Sequence, residues 1–255
     1  MDYLIRLKMS NFFSIVIDTC NHEQWIEKCI QSCLSQKYSD FEIVIVDAIS
    51  TDRTWEICQE YAKDFPDKIR VYQNEVRIPQ IANMLFLTEM SKPGSVVVSV
   101  DGDDWLKSTQ VLNKLNEVYN SGDIWITYGT YEEYPYRDVR FHYHAYPDEV
   151  IESNSFREHA WLASHLRTYK RELFLRIDIN DFKLPNGQWL DTTGDQAFML
   201  PMLEMASDRS RYVSDILYVY NIANQSRDTQ LNESRQVELS KYIRSKTKYS
   251  RLEKI

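Results

Sequence analysis

Two aspartates one residue apart, in Asp101-Gly102-Asp103, stand directly after an apolar run from Ser95 to Val100 and are followed by Asp104 and Trp105. Residues two apart on an extended chain point the same way. Both carboxylates can therefore face one hard cation, and Mg²⁺ or Mn²⁺ typically takes one or two protein carboxylates together with phosphate oxygens and water. An ion held beside a diphosphate would offset the charge that develops on a departing phosphate. The same four residues also suit a plain turn capping the next helix. Two further apolar runs end alike: Phe12 to Ile17 stops at Asp18-Thr19-Cys20-Asn21, and Phe41 to Val46 stops at Asp47.

The elements that would carry these strand ends alternate. After Asn21 the apolar positions Trp25, Ile26, Cys29, Ile30, Cys33 and Leu34 recur every three or four residues, which predicts a helix over 22–36. Ser50-Thr51-Asp52 opens a second amphipathic helix, with Trp55, Cys58 and Tyr61 on its apolar positions. A strand near 69–72, a helix near 78–90, a helix near 111–119 and a strand near 124–128 continue the series. Alternation of this kind predicts an α/β fold with a Rossmann-like, mainly parallel sheet flanked by helices. Ligands of such sheets bind beyond the carboxyl ends of the strands.

Regularity fades over 131–160, a stretch crowded with Tyr131, Tyr134, Tyr136, Phe141, Tyr143 and Tyr146 and followed by Trp161. Rings of this type would suit the apolar faces of an acceptor sugar, and they also bury well in a core. A short helix near 170–177, a helix over 195–206 and a closing strand over 212–220 follow. The polar tail, with Leu231, Val237, Leu239, Tyr242 and Ile243, is helix-prone and expected to pack on the body or on a second copy of the chain. The expected division is a domain of 1–222 and a helical tail of 223–255.

Composition removes several function classes. The 255 residues carry 38 acidic against 30 basic side chains, a net charge of -8, and there is no dense basic block in the first two hundred positions, so nucleic acid is not an expected partner. Charges at Asp2, Arg6 and Lys8 interrupt any apolar leader, and no run approaches the ~18 apolar residues of a membrane span. A soluble cytoplasmic protein is expected. The four cysteines, Cys20, Cys29, Cys33 and Cys58, include no Cys-x-x-Cys pair, and Cys29 and Cys33, four apart in a helical pattern, read as two small buried hydrophobes ahead of a metal site or a disulfide. With six glycines and none before Gly94, the chain lacks the Gly-rich phosphate loop of pyrophosphorylases and dinucleotide dehydrogenases.

The stretch "FSIVIDTCNHEQWIEKCIQSCLSQKYSDFEIVIVDAISTDRTWEI", with "VVVSVDGDDWL" after it, resembles the N-terminal half of the family-two, GT-A-fold glycosyltransferases. That family's pattern runs Pro-Thr-Tyr-Asn after a strand, Gln-x-Tyr after a helix, Asp-Asp-Gly-Ser-Thr-Asp after a strand, and then Asp-x-Asp-Asp. The later segments "SHLRTYKRELFLRI", "TGDQAFMLPMLEMA" and "LYVYN" are similar to a bacterial and viral branch, so the resemblance covers residues 12 to 222. It implies inverting transfer of a sugar from a nucleoside diphosphate donor, a UDP-sugar by family habit, to a hydroxyl acceptor such as a glycan. It further implies Mn²⁺ or Mg²⁺ as cofactor, and the cytoplasm of a bacterium or of a virus's host as the location.

Carried over by position, Asp47 would contact the base and the loop Asp18, Thr19, Cys20 and Asn21 would line the same pocket. Asp101 would lie near ribose and metal, with Asp103 the main metal ligand. Asp18 stands where the family has Pro, Cys20 where it often has an aromatic, and Ala48 where it has a second acid, so the residues that would read the base depart from the pattern. The family's general base, often in Gly-Glu-Asp at a helix start, falls on Gly194-Asp195-Gln196. Asp195 is the candidate and Asp191 the spare, although an Asp there is also a good helix cap. His165 and Arg167, alternate residues of one strand, would suit a diphosphate; a core role for His165 is the other reading. Arg77, Asn83, Gly102 and Trp105 complete the donor-pocket candidates. The competing hypothesis is the same fold without turnover, a sugar- or partner-binding protein.

Overall fold

A computed structural model describes residues 10–137, 143–224 and 233–255. The charged N-terminal segment, Phe141 and Leu231 lie outside the described residues. The first half is a run of strand and helix: β1 (Phe13–Thr19), α1 (Ile26–Leu34), β2 (Phe41–Asp47), α2 (Thr54–Asp64), β3 (Ile69–Gln73), α3 (Gln80–Met90), β4 (Val96–Asp101), the two-residue β5 (Trp105–Leu106) and α4 (Val111–Tyr119). The second half adds β6 (Ile126–Tyr134), α5 (Asp148–Glu152), β7 (Ser164–Lys170), α6 (Arg171–Phe174), α7 (Gly194–Ala206), β8 (Ser210–Asn221) and α8 (Glu233–Ser245). They form one eight-stranded sheet of order β3-β2-β1-β4-β7-β6-β8-β5. β1 is parallel to β2 and β4, and β2 to β3, while β7 runs antiparallel to β4 and β6.

The near-continuous apolar strands are explained by burial on both faces. Along β1, Phe13, Ile15 and Ile17 join one core cluster and Val16 the other; along β2, Phe41, Ile43 and Ile45 divide from Val44 and Val46 in the same way. Helices α1, α2 and α4 cover one face through Ile30, Cys58 and Leu112, and α3, α6 and α7 cover the other through Leu87, Leu173 and Met199. Cys29, Cys33 and Cys58 are buried free thiols, as their spacing predicted, and Cys20 is half-buried.

Three elements differ from the sequence reading. α1 starts at Ile26 because Trp25 and Ile26 both donate to the His22 carbonyl, closing a turn over the first positions. The strand expected to stop near 128 runs on to Tyr134, because β8 supplies parallel partners as far as Asn221. The aromatic stretch is mostly packing: Tyr128 and Tyr146 contact each other at 5.5 Å, Tyr131 contacts Tyr220 at 5.0 Å, and Tyr134 lies edge-on to Trp105 at 5.2 Å.

The tail packs on the chain's own body, with Leu239 and Ile243 of α8 in the same core cluster as Met199 and Phe198 of α7. A buried ion pair ties it down. Arg157 Nε and Nη2 donate to Glu204 at 2.5 and 2.9 Å, Arg157 Nη1 donates to the Ile243 carbonyl, and Tyr249 N donates to Glu204 Oε2. Removing one partner of such a pair strands a charge in the interior and costs about 3–5 kcal/mol. Arg157→Ala is therefore expected to lose that much in urea unfolding, whereas breaking the exposed Arg251–Asp208 pair should change stability by less than about 1 kcal/mol.

Candidate active site

The strand order 3-2-1-4 reverses between β1 and β4, and Asp18 of β1 is the register partner of Asp101 of β4. The two carboxylates thus flank the point where chains leave the sheet in opposite directions, the place where open α/β sheets leave a crevice. Helix α3 reaches both from one side. Asn83 Nδ2 donates to Asp18 Oδ1 at 2.7 Å, and Gln80 Nε2 donates to Asp101 Oδ1 at 3.1 Å. Asp103, two residues on, accepts from Asn224 Nδ2 at 2.8 Å.

A cleft of about 510 Å³ opens over these ends, lined by Asp18, Thr19, Cys20, His22, Ala48, Arg77, Asn83, Asp101 and Asp103 among others. A second cleft of about 670 Å³ adjoins it, with Trp161, His165, Arg167, Thr193, Asp195 and residues of α8 in its walls. Gln80, Asp101, Asp191 and Tyr220 line both. The two clefts thus adjoin, the first lined by the acidic strand ends and the second by the start of α7.

Asp195 sits in the first turn of α7, where negative charge is favoured. Arg167 Nη2 donates to its Oδ2 at 2.9 Å and Gln196 N donates to its Oδ1 at 2.9 Å, while the side chain remains 30% exposed. Thr193, just before the helix, has φ 62°, an uncommon conformation for a β-branched residue, and its buried hydroxyl has no hydrogen-bond partner among the described residues. Gly194 then passes so close to Ile81 that a Cβ there would lie 3.2 Å from Ile81 Cβ.

Crowding of acids shapes the donor-side cleft. Burial, with Asp103 and Asp101 close by, pushes the Asp104 carboxyl well above the usual carboxylate range. Its oxygens accept from Tyr218 Oη at 2.8 Å and Asn221 N at 2.7 Å, which anchors the loop to β8. Burial lowers the His22 imidazole, opposed by nearby Asp103. Among the described residues no three His, Cys, Asp or Glu side chains converge on one point. Two hard oxygen ligands without a closed cage fit an ion that draws its remaining ligands from phosphate and water, as Mg²⁺ and Mn²⁺ do. Asp101 and Asp103 fit that role.

The remaining sequence candidates divide between the two clefts and positions outside them. Asp47 is fully buried, accepting from Ser50 N and Gln73 Nε2 at 3.0 Å each and from Ser50 Oγ, so its carboxylate braces the turn, and the next residue, Ala48, lines the cleft. The turn closes this way because Ile49, at φ 60°, reverses the chain. Asn21 accepts from Thr51 N at 2.7 Å and borders a smaller recess. Trp105 lines neither main cleft: Lys28 Nζ lies 3.3 Å from its ring centroid. His165 and Arg167 face the second cleft, where His165 stacks on Tyr218 at 4.6 Å. Asp191 borders both clefts and pairs with Arg235 of α8 at 3.2 Å.

Gly102 is covered by the β1 loop, where an added Cβ would approach Thr19 Cβ to 2.6 Å and His22 Nδ1 to 3.0 Å. Gly102→Ala should therefore cost about 1–3 kcal/mol, read as a lower unfolding midpoint, because overpacking forces its neighbours to move. Sequence reasoning passed over His22, Gln80, Thr193 and Asn224. Gln80 carried a readable signal, since it follows Pro79 at a helix start whose first turn points toward the strand ends.

The family profile described as "Glycosyl transferase family 2" matches residues 14–178, more than half of the chain. The chain belongs to glycosyl transferase family 2. Among curated proteins it is 26% identical over 228 residues to Glycosyltransferase GlyG of Streptococcus pneumoniae, covering 83% of this chain and 71% of GlyG. It is 25% identical over 226 residues to GlyA of the same organism, covering 82% of this chain. The chain spans only 30% of GlyA's length. Two solved structures share its fold. S. aureus TarS 1-349 in complex with UDP-GlcNAc is 18% identical, with a TM-score of 0.64 over 87% of this chain and 61% of that one. The mannosyltransferase PcManGT from Pyrobaculum calidifontis, in complex with GDP-Man and Mn²⁺, is 18% identical, with a TM-score of 0.63 over 94% and 66%. The fold of this family-two chain is thus the GT-A fold, a mixed and mostly parallel sheet flanked by helices. No described helix is long and apolar enough to cross a membrane.

Proposed function

We propose that this protein transfers a sugar, with inversion, from a nucleoside diphosphate sugar to an acceptor hydroxyl. The observation that carries this reading is the joined pair of clefts: Asp101 and Asp103 border one, Asp195 borders the other, and Gln80, Asp101, Asp191 and Tyr220 belong to both. A donor seated in the first cleft would then present its anomeric carbon to an acceptor seated in the second.

Asp101 and Asp103 would hold the divalent ion, Mn²⁺ or Mg²⁺, whose chemistry is to offset charge on the leaving diphosphate. The remaining work falls to the chain. An acceptor hydroxyl is a weak nucleophile until a positioned group takes its proton as the new bond forms. Asp195 takes that proton, the hydroxyl oxygen bonds to the anomeric carbon from the face opposite the donor oxygen, and the bond to phosphate breaks, releasing the nucleoside diphosphate. Arg167 orients the base through its 2.9 Å bond to Asp195 Oδ2. Asn83 and Gln80 fix Asp18 and Asp101. A UDP-sugar is the expected donor, with Cys20, Ala48 and Arg77 lining the cleft where the base would lie.

The test is a thermal shift with UDP, UDP-GlcNAc, UDP-glucose and GDP-mannose, each with and without Mn²⁺. At one hundred times Kd a ligand adds about 2.7 kcal/mol. For a chain of this size each kcal/mol is worth roughly 2–4 °C. A Mn²⁺-dependent rise of about 5 °C or more with one nucleotide series is expected, and a panel without any metal-dependent shift would overturn the reading.

A further inference from the structure

Part of the lining of the second cleft, which Asp195 also lines, comes from α8, outside the region the family profile matches. Glu233, Gln236, Val237, Ser240 and Lys241, one side of two and a half turns, line it. This helix is fixed to the catalytic side: Arg235 pairs with Asp191, Ser240 Oγ donates to Gln196 Oε1 at 2.8 Å, and Leu239 and Ile243 are buried in the core. The same face leaves Val237 49% exposed, an apolar side chain among amides and hydroxyls. Trp161 lines the same cleft. An apolar ring and a small aliphatic patch framed by Gln80, Gln196, Gln236 and Ser240 suit a pyranose, which has an apolar face and a rim of hydroxyls.

Charge narrows the ligand further. Carboxylates of Asp101, Asp191, Asp195 and Glu233 border this cleft, against the cations Arg167 and Lys241. Arg167 is already engaged by Asp195, so Lys241 is the one cation among these described lining residues that no ion pair holds. Asp191 is likewise paired with Arg235, so repeated phosphates would meet a wall whose charges are largely matched already and a single unpaired cation, too few to offset their own charge. We propose that α8 is the acceptor-recognition element and that it admits an uncharged saccharide in preference to a phosphate-bearing polymer. This rests on the glycosyl-transfer reading above and adds to it the class of the acceptor and the residues that select it.

The experiment offers the full chain, with Mn²⁺ and radiolabelled UDP-GlcNAc, UDP-glucose or GDP-mannose, two immobilised sets of acceptors. One holds neutral oligosaccharides; the other holds ribitol phosphate and glycerol phosphate oligomers. Release of free sugar without acceptor is measured in parallel. Label is expected on a neutral oligosaccharide at tenfold or more over any phosphodiester oligomer. Gln236→Ala and Val237→Asp should each raise the acceptor KM at least fivefold while the donor KM stays within twofold, and circular dichroism should report an unchanged fold. Equal or faster labelling of the phosphodiester oligomers would overturn the neutral-acceptor assignment. Wild-type acceptor KM in both variants would overturn the role of α8. If no donor is either cleaved or transferred, the glycosyl-transfer reading itself fails and this inference falls with it.

Discussion

Asp195→Asn is expected to bind donor as the parent does and to lose about 10²–10⁴-fold in kcat, the range that a positioned general base contributes. The substitution keeps the shape of the side chain and an oxygen for Arg167, whose guanidinium lies 2.9 Å away, so the start of α7 should keep its form. What disappears is the ability to accept a proton. Initial rates at saturating donor and acceptor, with the thermal shift by donor measured on the same preparation, separate the two effects. A variant turning over at the parental rate would remove Asp195 from the mechanism. Asp191 would then be the carboxylate to replace next, since it borders both clefts.

Asp103→Ala should be equally severe by a different route. If Asp101 and Asp103 hold the ion as proposed, losing one of them would remove several kcal/mol of charge stabilisation on the leaving diphosphate. That corresponds to about 10²–10³-fold or more in rate, at 1.36 kcal/mol per tenfold. The same variant should lose the Mn²⁺-dependent part of the thermal shift, a readout that needs no turnover. Asp103 accepts one hydrogen bond from Asn224, and its removal leaves the Asp104 contacts with Tyr218 and Asn221 in place. A metal response equal to the parent's would place the ion elsewhere.

Much of this arrangement was legible in the sequence because the parallel half of the fold obeys local rules. Apolar runs of six or seven residues bounded by acidic loops became β1, β2 and β4, and the three- and four-residue recurrence of Ile26, Cys29, Ile30 and Cys33 became the buried side of α1. The clustering of Asp18, Asp101 and Asp103 at one cleft followed from the side on which those strands end. The second half of the sheet was harder to read. β6 and β8 carry tyrosines on both sides, so period-two alternation is hidden, and their pairing is decided by partners more than seventy residues apart. The burial of Asp47 was not legible for a local reason: the left-handed Ile49 folds Ser50 back over the carboxylate, and a β-branched residue gives no forewarning of that conformation. The second cleft was invisible because α8 brings its lining residues from the far end of the chain.

Asp18 lies directly opposite Asp101 on neighbouring parallel strands, with six paired positions running back to Phe13 and Val96. Adding or deleting one residue within β1 would turn Asp18 toward the α1 side while the loop beyond kept its composition. The ladder therefore acts as a ruler for the crevice. Changes of length should be tolerated between α2 and β3, at the far edge of the sheet, and should be ruinous inside the central strands even where every substituted side chain is apolar.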